Sequence, residues 1–397
     1  MSYRTTSSNP STLLWVLRGD EGYGVESTVY TFSKQLLKEN WHVIAVCLNA
    51  GDLCPKLEAA GIEVIVLKVQ TMPHRVKGSG SARLELFLKS LKAEKQSVEQ
   101  ITQLLGDRSI DVVETTNMLL LNTIGSVAKK LNALPVWRMA NHVKPKKGVN
   151  LVRWYLQTIC AWHGILAMGN SDYTKNTLGA GPAKKVANLH GCDPARFNVD
   201  SVVPYSREDI GITPHELVFG IVARISDDGD KGQLRFLEAL IDCKKVGQSV
   251  CLLILGGPVD GELAKKICTL SAKDQDVRVL FVGHVEDVER YYGVMDVAVN
   301  SRLTPEPFGL SVIEAMMMGV PVLAHASGGP SETVIDNETG WLVSSMELNS
   351  LVADLTEIIN NKNNWSQLGS EAKNHALSLY RIEDEVDRWL LQVKSYR

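Results

Sequence analysis

The sequence predicts an α/β protein built from two doubly wound parallel-sheet domains. With 397 residues, the chain is long for a single hydrophobic core, so two domains are expected. Short apolar runs alternate with segments of helical composition, which is typical of βαβ units in a parallel sheet. This alternation lapses in a polar stretch near the middle of the chain and then begins again. Each half is therefore expected to form its own sheet.

Five apolar runs predict the strands of the first domain. The first run is followed by a glycine-containing turn and by a helix over about residues 27–38. The predicted strands cover residues 13–17, 42–48, 64–67, 111–113 and 134–137.

The second domain is predicted from a second series of apolar runs. They cover residues 217–223, 250–255, 277–282, 297–299 and 321–324. The polar stretch 204–214, which is bounded by prolines, is interpreted as the linker, so the expected domains are residues 1–204 and 205–380. Residues 381–397 contain a last helix, with Val386, Trp389 and Val393 at helical spacing.

Composition indicates a globular protein of a reducing compartment. The sequence is 45% hydrophobic and 22% charged, which is ordinary for a soluble protein. Seven cysteines without a Cys-x-x-Cys pair argue against a disulfide framework and against a zinc site. The N-terminus lacks the apolar centre of a signal peptide, and no apolar run reaches the roughly 18 residues of a membrane span. A cytoplasmic location is therefore expected.

The two halves of the chain carry opposite charge. Residues 1–204 hold 24 Lys and Arg against 16 Asp and Glu, whereas residues 205–397 hold 18 against 29. Basic residues cluster within 75–95 and again within 144–153. Such clusters form solvated faces in most proteins, and the alternative is an anionic partner such as a membrane surface or a phosphorylated acceptor. The sequence contains no feature that predicts nucleic-acid binding.

Glu306 and Glu314 flank the most informative segment. It follows a predicted strand, and Pro305 and Pro307 keep the chain extended there. Gly309 then permits a close turn into a predicted helix, whose free N-terminal amides would bind phosphate. Two carboxylates beside a phosphate site suit a phosphate ester of a sugar, because carboxylates accept hydrogen bonds from hydroxyl groups. The simpler alternative is an ordinary strand-loop-helix crossover.

The segment resembles the donor-site signature of family 4 retaining glycosyltransferases, in which two glutamates are separated by seven residues. The turns at Gly328-Gly329 and at 337–340 extend this resemblance. It implies the architecture called GT-B, in which two Rossmann-like domains face each other across a cleft and the last helix crosses back to the N-terminal domain. It also implies a nucleoside-diphosphate sugar as donor, UDP- or GDP-linked, bound by the C-terminal domain.

The resemblance implies roles for the residues around the two glutamates. Glu306 would accept hydrogen bonds from sugar hydroxyls, and Glu314 from the ribose. The backbone of Gly309 and Leu310 would contact phosphate, and Phe308 and Ser311 would complete this part of the donor site.

Arg224 and Lys231 resemble the family's pair of cations that neutralise the donor diphosphate. A departing diphosphate gains negative charge, and two fixed cations would stabilise it in place of a metal ion. No metal or other cofactor is therefore expected. Ala223 departs from the family's usual glycine, and the loop is longer by two acidic residues. An exposed loop with an incidental arginine and lysine is the alternative.

Weaker signals follow other predicted strands of the second half. Gly256 resembles the turn beside the nucleotide, and His284 and Val285 resemble the segment that contacts the base. Two Asp-x-Asp sequences, at 228–230 and 274–276, are interpreted as solvated turns and not as metal sites.

Three candidate residues lie in the first half. Gly22 and Gly24 follow the first predicted strand, either as a phosphate-approaching loop or as a plain tight turn. His142 falls near the position of a family histidine beside the transferred sugar, and a solvent-exposed loop histidine is the alternative.

The leading hypothesis is a retaining glycosyltransferase that acts on a sugar or lipid-linked acceptor in glycan, glycolipid or cell-envelope synthesis. A sugar-nucleotide epimerase or phosphorylase, and a non-catalytic sugar-nucleotide-binding subunit, are the alternatives. Residues 83–95 predict a helix with an apolar stripe and three lysines. One interpretation is that the stripe packs in the core of the first domain. The other is that the helix contacts an anionic membrane, which predicts peripheral membrane association.

Overall fold

The computed structural model describes residues 10–67, 80–144, 148, 150–243 and 249–397, without the side chains of Tyr23 and of residues 80–92. The chain divides into two compact units. The first unit runs to Leu189 and also includes Ile382–Arg397, and the second unit is His190–Arg381.

The described part of the first unit contains seven strands. They are β1 (Thr12–Leu17), β2 (His42–Cys47), β3 (Glu63–Val66), β4 (Val112–Thr115), β5 (Leu134–Met139), β6 (Leu166–Gly169) and β7 (Lys185–Ala187). All neighbouring pairs are parallel, in the order β3-β2-β1-β4-β5-β6-β7. The order reverses beside β1, as in doubly wound sheets.

Helices cover both faces of this sheet. They are α1 (Tyr23–Lys38), α2 (Leu53–Ala59), α3 (Gly80–Leu105), α4 (Leu121–Leu131), α5 (Leu151–His163), α6 (Asp172–Thr177) and, at the end of the chain, α14 (Ile382–Tyr396). Leu13 and Trp15 of β1 pack in one core with Val386 and Trp389 of α14, whereas Leu14 belongs to the core on the opposite face. The last helix therefore belongs to the first unit, as the resemblance implied.

A buried charge cluster joins α14 to the sheet. The Arg138 guanidinium on β5 donates to Glu114 on β4 at 2.7 Å and also contacts Glu385 of α14, and each side chain is at most 2% exposed. The indole of Trp389 donates to the second oxygen of Glu114 at 2.9 Å. Burial is the main cause that raises the pKa of Glu114.

Within the described residues, the second unit contains six parallel strands. They are β8 (Leu217–Val222), β9 (Val250–Leu255), β10 (Val277–Gly283), β11 (Val297–Asn300), β12 (Val322–His325) and β13 (Gly340–Val343). Their order is β10-β9-β8-β11-β12-β13. The helices are α7 (Gln233–Asp242), α8 (Glu262–Ser271), α9 (Val288–Tyr292), α10 (Leu310–Met317), α11 (Pro330–Thr333), α12 (Leu348–Asn360) and α13 (Trp365–Leu379).

Residues 190–204 pack within the second unit, whereas the sequence analysis placed the domain boundary after residue 204. The Phe197 ring lies edge-on to Tyr292 with centroids 6.3 Å apart, and Arg196 pairs with Glu289 at 2.9 Å. This stretch has almost no regular secondary structure. No periodic pattern therefore marks the unit to which it belongs.

The ten predicted strands are confirmed, and the short strands β6, β7 and β13 were not predicted. The predicted helix over 83–95 lies within α3, but its apolar stripe lies on side chains outside those that the structure describes. The run Gly78-Ser79-Gly80-Ser81 predicts a flexible loop over residues 73–82. Residues 73–79 lie outside the described residues, and residues 80–82 begin α3 instead. No helix in the described ranges has the length and apolar character that crossing a membrane requires.

Candidate functional site

The candidate site lies at the carboxyl edge of the second unit's sheet. The loop after β8 carries Arg224 and Lys231, and the loop after β11 carries Glu306. These two strands are neighbours in the sheet. Parallel strands end at the same edge, so residues far apart in sequence meet there.

The Glu306 carboxylate is held by two cations. Lys231 Nζ lies 2.7 Å from its Oε2, and Arg302 Nη1 lies 3.1 Å from its Oε1. The side chains of Lys231 and Glu306 retain 22% and 13% exposure. The sequence predicted that both residues act on one donor, and the structure brings them into direct contact.

Arg302 was not predicted from the sequence. Its guanidinium also contacts Asp230 at 2.8 Å, and the Thr304 hydroxyl donates to the same carboxylate at 2.5 Å. Asp230 therefore holds Arg302 rather than standing free as the second aspartate of Asp-x-Asp. Among the residues that the structure describes, no cluster of three or more His, Cys, Asp or Glu could hold a metal ion.

Two glycines fix the backbone of Glu306. Gly328 has φ +88°, and a Cβ there would overlap the Glu306 carbonyl oxygen. The amide of Gly329 donates to that oxygen at 2.7 Å. Only glycine permits this approach, so the turn after β12 positions the carboxylate on the neighbouring loop.

Gly309 turns the chain into α10. Its φ is +93°, and no side chain caps the amides that begin the helix at Leu310 and Ser311. The Phe308 ring is 3% exposed and lies edge-on to His190, with centroids 5.3 Å apart, and to Tyr380 at 6.1 Å. Phe308 therefore anchors the loop through its side chain.

Glu314 lies in α10 beside a second residue that the sequence analysis missed. The hydroxyl of the fully buried Tyr292 donates to Glu314 Oε2 at 2.9 Å. Desolvation raises the pKa of Glu314, against opposing effects of this hydrogen bond and of Arg196. Tyr292 orients the carboxylate, and nothing in the local sequence pairs the two residues.

The remaining predicted donor residues lie along the same edge. Gly256 has φ +124°, and a Cβ there would overlap the carbonyl oxygen of Ala223. His284 is exposed and Val285 half-buried in the turn after β10. Arg224 is exposed. Hydrogen bonds from the Ser226 hydroxyl and the Asp230 amide lower the pKa of Asp228, and the charge of Arg224 lowers it further.

The other candidates belong to the first unit, near the carboxyl edge of its sheet. Gly22 has φ −77° and precedes α1, and Gly24 lies in that helix. The glycine that the turn requires is Gly19, with φ +98°, because a Cβ there would overlap the Asn49 carbonyl oxygen. The His142 ring lies edge-on to Tyr173, with centroids 5.9 Å apart.

Residues 204–375 match the family model of the glycosyl transferases group 1. The matched segment is less than half of the 397-residue chain. The group 1 segment contains Arg224, Lys231, Arg302, Glu306 and Glu314, and so the whole candidate site of the second unit.

The curated relatives match the chain in part. A lipopolysaccharide 1,2-N-acetylglucosaminetransferase of Salmonella typhimurium is 27% identical over 48% of this chain and 51% of that protein. A D-inositol 3-phosphate glycosyltransferase of Mycobacterium sp. is 32% identical over 42% of this chain and 40% of that protein. The chain thus spans about half the length, or less, of these relatives.

Solved structures match over almost the whole chain. A glycosyltransferase from Rickettsia africae aligns with a TM-score of 0.78 at 19% identity, covering 98% of this chain and 99% of that one. The Anabaena protein HepE, solved with UDP and glucose, aligns with a TM-score of 0.74 at 18% identity, covering 96% and 99%. These likenesses establish the fold, two Rossmann-like domains of the GT-B type.

Proposed function

We propose that the protein is a retaining glycosyltransferase that moves a sugar from a nucleoside-diphosphate donor to a hydroxyl group of an acceptor. The observation that carries this proposal is the contact of Lys231 and Arg302 with Glu306, within a group 1 segment. A carboxylate that binds sugar hydroxyls thereby lies beside a cation suited to a diphosphate.

The predicted residues of the second unit bind different parts of the donor. Glu306 accepts hydrogen bonds from the sugar and Glu314 from the ribose, and the amides at Gly309, Leu310 and Ser311 face the phosphates. Gly256, His284 and Val285 form the nucleotide side of the site. Arg224 and Lys231 stabilise the diphosphate as it departs, so the reaction proceeds without a metal ion.

The chemical step exchanges one bond at the anomeric carbon. The bond to the donor phosphate oxygen breaks, and the acceptor oxygen bonds to the same face of the sugar. The acceptor proton passes to an oxygen of the departing diphosphate, so the step needs no protein base. The first unit would bind the acceptor, a sugar or a lipid-linked molecule. His142 would lie beside the transferred sugar, and Gly22 and Gly24 near the phosphates.

We expect UDP to stabilise the protein against heat more than GDP or ADP. The solved complexes of HepE with UDP and UDP-glucose support this choice. A ligand at about 100 times its Kd stabilises the folded state by about 2.7 kcal/mol, which is a readily measured rise in Tm. Thermal unfolding with each nucleoside diphosphate and its sugars measures the preference.

The same ligands separate transfer from other chemistry on this fold. Incubation with donor alone should leave the sugar unchanged apart from slow hydrolysis. Conversion of the donor sugar without acceptor would instead show an epimerase. In the thermal-unfolding experiment, an equal rise in Tm with all three nucleoside diphosphates would contradict the UDP preference.

A further inference from the structure

Helix α5 exposes an apolar face in addition to the one that it buries. Leu156 and Cys160 lie in the core of the first unit. On the solvent side, Leu151 is 66% exposed, Trp154 65% and Trp162 82%. A surface helix of a globular protein normally presents polar residues to water, so a helix that is apolar on both sides has an unused binding face.

The exposed residues share one stripe along the helix. Positions 151, 154, 155, 158 and 162 follow the spacing of a single helical face. Tyr155 is 47% exposed, and the hydroxyl of Thr158 donates to the Trp154 carbonyl at 2.9 Å, which satisfies its polar group. We call this stripe, Leu151, Trp154, Tyr155, Thr158 and Trp162, the α5 face.

Helix α4 and the turn before it extend the α5 face. Asn122 of α4 contacts the Tyr155 hydroxyl at 3.3 Å and His163 at 3.2 Å, so the two helices are tied together. Leu119, three residues before Asn122, is 57% exposed. A further exposed apolar side chain thus lies in the turn before the helix that is hydrogen-bonded to α5.

The charge around the α5 face is basic. Residues 115–171 contain no Asp or Glu and seven Lys and Arg, of which Arg138 is buried and paired with Glu114 and Glu385. Lys129 and Lys130 are exposed at the end of α4. Burial and then the charge of Lys129 lower the pKa of His163, which places this lysine beside α5. Burial and then the charge of Glu94 on α3 raise the pKa of the Tyr155 hydroxyl, so one acidic group also lies near this helix.

We propose that the α5 face binds the surface of an anionic lipid bilayer. Exposed Trp and Tyr lie at the interface of headgroups and acyl chains, and neighbouring lysines attract anionic headgroups. A second copy of the chain fits less well, because a symmetric contact through this face would bring like charges of Lys129 and Lys130 together. This surface differs from the predicted stripe at 83–95, and its binding does not depend on the proposed transfer reaction.

Vesicle co-sedimentation of the full chain tests the proposal. We expect pelleting at low ionic strength with vesicles of phosphatidylcholine and phosphatidylglycerol, weaker pelleting at high salt, and little with phosphatidylcholine alone. Trp154→Ala with Trp162→Ala should lower the partition coefficient on the order of tenfold. Replacement of Lys129 and Lys130 by Glu should lower it by roughly thirtyfold or more at low salt.

Matched variants separate the α5 face from general surface effects. Leu391→Ala removes a side chain that is 64% exposed on α14, and Lys265→Glu with Lys266→Glu reverses an exposed lysine pair on α8. The partition coefficients of both controls should lie closer to that of the unmodified chain than do those of the α5-face and α4 variants. Equal binding to neutral and anionic vesicles, or none, would overturn the proposal. So would a dimer in light scattering that the tryptophan substitutions dissociate, since the face would then join two copies.

Discussion

Replacing Lys231 with methionine is expected to slow sugar transfer by about 10²–10³-fold. Methionine keeps an unbranched side chain one atom shorter and removes the cation that lies 2.7 Å from Glu306. A fixed charge aimed at a departing group typically contributes an effect of that size. Initial rates of nucleoside-diphosphate release, measured with saturating donor and acceptor, give the loss directly.

Lys265→Met is the matched control for Lys231. Lys265 is an exposed lysine of the same unit that pairs with Glu262 within α8. Its replacement should leave the rate unchanged. A Lys231→Met enzyme that keeps the rate of this control would show that Lys231 does not stabilise the leaving diphosphate.

Replacing Arg138 with methionine is expected to destabilise the first unit by about 3–5 kcal/mol. The substitution leaves Glu114 and Glu385 buried together without their shared cation. An uncompensated buried charge costs about this much, although the intact cluster contributes far less to net stability. Urea unfolding followed by circular dichroism measures the change.

Arg108→Met provides the comparison for Arg138. Arg108 pairs with Glu63 at 2.6 Å, but the two side chains are 45% and 37% exposed. The loss of this surface pair should cost at most about 1 kcal/mol. Equal unfolding midpoints for the two variants would mean that the buried cluster does not hold α14 in place.

The sequence predicted the sheets well because their strands are apolar runs buried on both faces. All six residues of β1 and of β9 are buried, and such runs differ sharply from the helices between them. The strands β6, β7 and β13 were missed, and their length does not explain this, since the four-residue strands β3, β4, β11 and β12 were predicted. The unit to which residues 190–204 belong also escaped, because side-chain packing decides it.

The candidate site was predictable where a motif fixes spacing and unpredictable where tertiary contacts choose the partner. Glu306 and Lys231 were predicted from separate elements, and the structure brings them together. Arg302 and Tyr292 were not predicted. Arg302 lies four residues before Glu306 in the same loop, but it belongs to no motif that the sequence analysis used. Tyr292, at the end of α9, meets Glu314 of α10 only in the folded unit. The glycines at 328 and 329 were recognised as a turn, but their contact with the Glu306 carbonyl required the fold.

The most direct test of the donor site measures binding and turnover on one Glu306→Gln protein. Glutamine keeps the shape of the side chain and removes the charge that pairs with Lys231 and Arg302. We predict that UDP binds with a Kd within a few-fold of the unmodified protein, while transfer from the UDP-sugar falls by about 10²-fold or more. Transfer at the unmodified rate would contradict the role of Glu306 and the placement of the donor beside it.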